Sequence, residues 1–185
     1  TAHHGERQQA ADALKRGDTP GPPNPNLIDT WIEINADNTA TIYHGKVELG
    51  QGSPTGLLQI AAEELDLGMD QVRGVRVDTN VTPDQGFTAG STSISGGGPQ
   101  VRKAAAEARQ ALLQLASAKL GVPAAQLSVS KGVVTGNGQT VKYGELIGGR
   151  LFNVTMTGTA PVKKVADYKL VGTRAQRLDI PAKVS

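Results

Sequence analysis

The chain has 185 residues, of which 38% are hydrophobic and 19% charged, and its formal net charge is +2. This length allows one domain with a sizeable core and a tail. The small net charge gives no reason to expect nucleic acid or a membrane surface as a partner, and no apolar run approaches the roughly 18 residues of a membrane-spanning helix. The absence of cysteine excludes disulfides, a thiol nucleophile and cysteine ligation of an iron–sulfur cluster by these residues.

Residues 1–29 are predicted to form an N-terminal arm. Residues 8–16 favour a short helix, which the proline-rich stretch 19–26 ends, because proline lacks an amide donor and biases the preceding residue toward extended backbone. His3 and His4 are expected to be exposed tail residues, since two adjacent histidines without further ligands do not make a metal site. No metal ligands are predicted elsewhere in the chain.

A hairpin and a helix are predicted next. Residues 31–34 alternate as a half-buried strand should, and residues 39–44 form its returning partner after a turn. Ser53 is expected to cap the following helix and Gly68 to end it. The apolar residues at helical spacing that define its buried face are Leu57, Ile60, Ala61 and Leu65.

A third strand is predicted at residues 72–77, followed by a polar, glycine-bearing loop at residues 81–98. A long amphipathic helix then ends at Gly121. Its predicted apolar face consists of Val101, Ala105, Ala108, Leu112 and Leu115. Short strands are expected near residues 127–129, 132–134 and 140–143, with a hairpin turn at Gly136-Asn137-Gly138.

These elements predict an α+β fold with a mixed or antiparallel sheet, two main helices packed on one face, and extended N- and C-terminal arms. The domain itself is placed at residues 30–160, and residues 161–185 are predicted to be an extended, basic linker to a next domain.

Several charged residues are interpreted as ordinary surface groups. Glu63, Glu64 and Asp66 are expected to form a solvated helix face, and Lys163 is expected to be solvated too. His44, in a predicted strand, is interpreted as a surface or packing residue rather than a catalytic base.

Two segments share the plan of a strand, a loop of small residues and the start of a helix. The first loop comprises residues 50–53 and the second loop residues 87–98. Helix N-termini favour anions, since they present free amides and about half a unit of positive charge, and glycines allow a ligand close to the backbone. The carboxamide of Gln51 can donate and accept, which suits the edge of a pterin-like ring. The loops therefore indicate a phosphate-bearing polar ligand, or else caps and turns that bind nothing.

A nicotinamide-dinucleotide fingerprint is a second alternative, because Gly50, Gly52 and Gly56 follow a strand and open a helix, and Asp78 ends the next strand. Four features argue against it. The third glycine lies one place later than in the usual pattern, and the acid comes late in the sequence. The preceding strand carries charged residues, whereas a central parallel strand is nearly all apolar. The same strand is also expected to be the second arm of a hairpin rather than the first strand of a crossover.

Residues 45–52 (GKVELGQG) and 59–65 (QIAAEEL) resemble the cofactor loop and helix of large subunits from molybdenum hydroxylases. The resemblance is to the xanthine dehydrogenase and aldehyde oxidase family, in its isoquinoline 1-oxidoreductase beta-subunit type. Residues 82–84 and 87–93 resemble the family's second cofactor loop, and residues 171–173 and 177–184 resemble its junction with the next domain. The resemblance covers about residues 27 to 185 and corresponds to the N-terminal portion of the large subunit.

The resemblance implies binding of molybdopterin cytosine dinucleotide. The residues that match the family's cofactor contacts are Gly50, Gln51, Gly52, Thr88, Ala89, Gly90, Ser91, Thr92 and Ser93. It also implies hydroxylation of an aldehyde or N-heterocycle with water-derived oxygen, and electron transfer to an iron–sulfur small subunit. The implied partners are that subunit and the remainder of the large subunit, without nucleic acid or membrane insertion.

The family's general-base glutamate has no counterpart in this chain. We therefore expect a cofactor-binding fragment or a separately encoded subunit that is not catalytic alone. A non-catalytic scaffold domain is the remaining alternative, and the compartment, periplasm or cytoplasm, stays open.

Overall fold

A computed structural model describes residues 21–180 of the protein. His3, His4 and the helix predicted at residues 8–16 lie outside the described residues. The fold is α+β, as predicted, with two three-stranded sheets and two long helices. No helix among residues 21–180 is both long and apolar enough to cross a membrane.

The first sheet has the strand order β1-β2-β3. Strands β1 (Ile32–Ile34) and β2 (Ala40–Ile42) form the predicted antiparallel hairpin, and β3 (Val72–Gly74) pairs with β2 in parallel. Helix α1 (Ser53–Leu65) connects β2 to β3, so β2 is also the first strand of a crossover unit. The expectation that β2 serves the hairpin alone was wrong, because β2 offers one edge to each neighbour and pairs on both.

The bounds of α1 differ from the prediction at both ends. Gly52 occupies the N-cap with φ +77°, and Ser53 is the first helical residue and makes no side-chain cap. The helix ends at Leu65, because Asp66 adopts the left-handed conformation at φ +55° and its amide bonds to the carbonyls of the last turn. Aspartate tolerates this conformation, so the chain turns two residues before Gly68.

Helices α2 (Thr92–Ser95) and α3 (Gly97–Leu120) follow in close succession. Helix α3 packs against α1 and ends, as predicted, at Gly121, which has φ +66°. Leu115 is 41% exposed, so its predicted place on the buried face was wrong. The fully buried positions of α3 are Val101, Ala104, Ala105, Ala108, Leu112 and Ala116.

The second sheet is antiparallel and comprises β4 (Ser128–Ser130), β5 (Val133–Gly136) and β6 (Gln139–Lys142). Asn137 and Gly138 form the predicted hairpin turn with φ +51° and +74°, the positive values that a two-residue turn of this kind requires. Helix α4 (Tyr143–Ile147) follows directly.

The acidic residues near the end of α1 are buried, and the prediction of a solvated face was wrong. Residues 161–173, named the strap below, cross over this face. The Oε2 atom of Glu63 accepts hydrogen bonds from the amides of Lys169, Leu170 and Val171 at 2.8, 2.6 and 3.0 Å. The ammonium of Lys163 lies 2.6 Å from a carboxylate oxygen of Asp66, so this lysine is also paired rather than solvated.

Candidate functional site

The segment that follows β2 separates two cavities. Alternate side chains along an extended segment point in opposite directions. Accordingly Val47 and Leu49 line one cavity of about 600 Å³, which also includes Phe87. His44, Lys46 and Glu48 line a second cavity of about 1110 Å³, which Val47 also reaches. The first loop therefore begins between two open volumes.

The structure brings the approach to the first loop against the second loop. The amide of Val47 donates to the Thr88 hydroxyl at 2.9 Å. The buried ammonium of Lys46 donates to the carbonyl of Phe87 at 2.8 Å, and the amide of Gly45 donates to the Gln85 side chain at 2.9 Å. The segment that leads into the first loop is thus held against the start of the second loop, about 40 residues later in the sequence.

The first loop is closed on itself. Gly50 and Gly52 have φ +100° and +77°, and both of their amides donate to the same carboxylate oxygen of Glu48, at 2.6 and 3.1 Å. The Gln51 carboxamide accepts from the amide of Leu49 and donates to the Val47 carbonyl. The amides of Gly50 and Gly52 therefore converge on an internal anion. Sequence reasoning missed this role of Glu48.

The second loop is open by comparison. Gly90 and Ser91 are left-handed at φ +60° and +58°. Within residues 21–180, no hydrogen bond uses the amides of Ala89, Gly90 or Ser91, although the Ala89 carbonyl accepts from Thr92. All three residues are exposed. This loop therefore presents a run of backbone donors to whatever approaches it.

His44 lies in the interior, with 3% of its surface exposed. Its Nδ1 atom has no hydrogen-bond partner among the described residues. Burial lowers the pKa of His44 below its usual 6.5, and a hydrogen bond with the backbone of Lys46 offsets only part of that effect. The imidazole is therefore neutral at physiological pH, and the packing interpretation of this residue fits its position.

Comparison with known proteins identifies the family. The molybdopterin cofactor-binding domain family matches residues 14–177 of this chain. The chain belongs to that family. Its molybdopterin-binding assignment favours the molybdenum resemblance over both the nicotinamide-dinucleotide and the scaffold alternatives.

Two relatives of this molybdopterin cofactor-binding domain are named as subunits of oxidoreductases. It is 42% identical over 156 residues to a nicotinate dehydrogenase subunit of Pseudomonas putida, a match that covers 84% of this chain and 13% of the relative. It is 31% identical over 203 residues to the beta subunit of isoquinoline 1-oxidoreductase from Brevundimonas diminuta, covering 88% and 26%. The chain thus spans about a quarter or less of the length of these relatives.

Solved structures show the same fold. The reconstituted CO dehydrogenase of Oligotropha carboxidovorans superposes with a TM-score of 0.55 at 24% identity, covering 62% of this chain and 15% of that one. A structure of the carbon monoxide-reduced Cu,Mo-CO dehydrogenase gives 0.54 at 21% identity, covering 77% and 21%. At these identities the likeness concerns the fold alone.

Proposed function

We propose that the first and second loops together hold part of a molybdenum cofactor in its cytosine dinucleotide form. The enzyme would be a hydroxylase that oxidises aldehydes or N-heterocycles. The contact between Val47 and Thr88 joins the segment that leads into the first loop to the second loop, in a domain of the molybdopterin family, and it carries this proposal. The cofactor-contacting residues in it are those inferred from the resemblance, Gly50, Gln51, Gly52 and residues 88–93.

The free donors of the second loop fit such a cofactor. A dinucleotide carries phosphate oxygens, which backbone amides and hydroxyls bind well. In the second loop the free amides of Ala89, Gly90 and Ser91 supply these donors. In the first loop the Glu48 carboxylate stands where an external anion would sit on the amides of Gly50 and Gly52. We therefore assign the phosphates to the second loop, and a contact with the pterin to the exposed first loop.

The bound cofactor supplies the molybdenum centre at which a substrate is oxidised. The residues of this chain bind and orient the cofactor rather than react. Lys46 supports this role indirectly, since its ammonium bonds to the Phe87 carbonyl and fixes the start of the second loop. The Thr88 hydroxyl accepts a hydrogen bond from the amide of Val47. We therefore assign Thr88 a structural contact in addition to any contact with the cofactor.

The remaining parts of the enzyme belong to the same proposal. Two matched relatives are named as subunits, and a third, from Paenarthrobacter nicotinovorans and 31% identical over 123 residues, is named as a subunit of a dehydrogenase complex. Because this chain contains no cysteine, it holds no cysteine-ligated iron–sulfur cluster. We propose an iron–sulfur small subunit as the electron acceptor, and the rest of a large subunit as the source of the other cofactor contacts.

The test uses the complete natural protein, purified from cells supplied with molybdate. Gln51→Ala is expected to lower molybdenum per protein by at least half, and acid hydrolysis of the wild type is expected to release cytidine monophosphate. Gln139→Ala, at an exposed position of β6, is the matched control and should leave the molybdenum content unchanged. Undiminished molybdenum in Gln51→Ala would contradict the loop assignment, release of a different nucleotide would contradict the cytosine form, and a wild type without molybdenum would contradict the function.

A further inference from the structure

We infer that Arg177 is a positioning residue for the first loop and holds it in the shape that the cofactor requires. Nothing in the sequence pattern of the loop points to this residue, which lies more than 120 positions downstream. The inference rests on the proposed function, because the first loop is a cofactor loop only in that proposal.

Arg177 contacts both groups that define the loop. Its Nη2 atom donates to the carbonyl of Gly50 at 2.8 Å and lies 3.7 Å from the Oε1 atom of Glu48. That same oxygen of Glu48 accepts the amides of Gly50 and Gly52. The guanidinium therefore joins the loop carbonyl to the carboxylate that gathers the loop amides.

The guanidinium is itself held in place. Asp179 accepts from Nε at 3.0 Å and from Nη2 at 2.8 Å, the two-pronged geometry in which a carboxylate fixes the plane of an arginine. The amide of the intervening Leu178 donates to the hydroxyl of buried Thr55 at 3.2 Å. Because Thr55 lies in the first turn of α1, the segment that carries Arg177 is attached to the helix that the loop begins.

Gly52 fits the same arrangement. A Cβ atom at Gly52 would lie 3.2 Å from Nε and 3.4 Å from Cδ of Arg177. Any larger side chain would therefore displace the arginine or the loop. Close approach of Arg177, together with φ +77°, explains why this position is a glycine.

Arg177 affects both the charge and the order of the first loop. Left-handed glycines cost backbone entropy to fix, so the loop keeps this shape only while other contacts define it. The Glu48 carboxylate supplies two of these contacts, and it also places a negative charge within the loop. Arg177 lies close enough to offset that charge while holding the Gly50 carbonyl.

The experiment compares Arg177→Ala and Arg177→Lys with Arg174→Ala in the complete natural protein. Arg174 is exposed, and no hydrogen bond or ion pair involves it within residues 21–180. Hydrogen exchange of the peptide spanning residues 47–53 reports the order of the loop, and molybdenum per protein reports cofactor binding. We expect Arg177→Ala to accelerate loop exchange at least tenfold and to lower molybdenum at least twofold, whereas Arg174→Ala matches the wild type.

Each outcome decides the inference. Unchanged loop exchange in Arg177→Ala would overturn it, and so would faster exchange with undiminished molybdenum. If Arg177→Ala yields too little folded protein, Arg177→Lys carries the same comparison, since it keeps the charge and loses the two-pronged contact with Asp179. A wild type without molybdenum would overturn the proposed function instead, while faster exchange in the variants would still support the positioning of the loop by Arg177.

Discussion

Replacing Glu63 with alanine should release the strap from α1. Three backbone amides and the ammonium of Lys163 converge on this buried carboxylate. Lys163 would lose one of its two carboxylate partners but would keep Asp66 at 2.6 Å. The three amides would also lose their acceptor, at about 1–3 kcal/mol each where water cannot reach them. We expect a local destabilisation of about 3–5 kcal/mol.

Hydrogen exchange of residues 161–173 in the complete protein measures this change. A local destabilisation of about 3–5 kcal/mol corresponds to exchange that is roughly 10² to 5 × 10³ times faster. Arg73→Ala is the control, since its ion pair with Asp37 leaves more than half of each side chain exposed, and such pairs contribute about 1 kcal/mol or less. If Glu63→Ala accelerates exchange of the strap by less than roughly tenfold, then the buried carboxylate does not hold the strap.

Two further predictions concern the pKa of Glu63 and the left-handed conformation of Gly52. Burial raises the pKa of Glu63, but the three strap amides and Lys163 outweigh it and leave the pKa below the ordinary 4.5. The stabilisation by the Glu63 carboxylate is therefore complete above pH 4.5 and is lost as the pH falls through the lower pKa of the folded state. Hydrogen exchange of the strap, corrected for its intrinsic pH dependence, should accelerate below pH 4.5 in the wild type. The acceleration should be much smaller in Glu63→Gln. Gly52→Ala should lower the thermal unfolding midpoint more than Gly121→Ala. Both substitutions cost about 1–2 kcal/mol for a left-handed residue, but only a Cβ at Gly52 would contact Arg177. Equal shifts of the midpoint would contradict a steric contribution from Arg177.

The elements that the sequence predicts well are those whose signals are local. The turn at Asn137 and Gly138 requires positive φ at two adjacent residues, and this pair adopts it readily. The sequence of helix α3 has apolar residues at helical spacing over a long stretch and a glycine after the last of them. Its end at Gly121 was therefore predictable from the sequence. The β1–β2 hairpin likewise follows from alternation around one short turn.

The missed features depend on contacts across large sequence separations. Glu63 occupies a helix position that looks solvated, and only the strap, about 100 residues later, buries it. The pairing of β2 with β3 was missed because a three-residue strand shows no sign of having neighbours on both edges. At the candidate site, the glycines of the first loop were recognised by their type, whereas the roles of Glu48 and Arg177 appear only when their atoms are close together.

Two contacts attach the C-terminal chain to opposite ends of α1. Glu63 holds the amide of Val171, and Thr55 holds the amide of Leu178. The helix between these anchors rises about 12 Å, and the chain that joins them spans at most about 25 Å when extended. Arg177 is therefore an intramolecular ligand of the first loop, with an effective concentration set by this tether. Doubling the tether length would cost only about 0.6 kcal/mol in closure entropy, so the spacing of the two anchors offers a graded control of loop order that alters no direct contact.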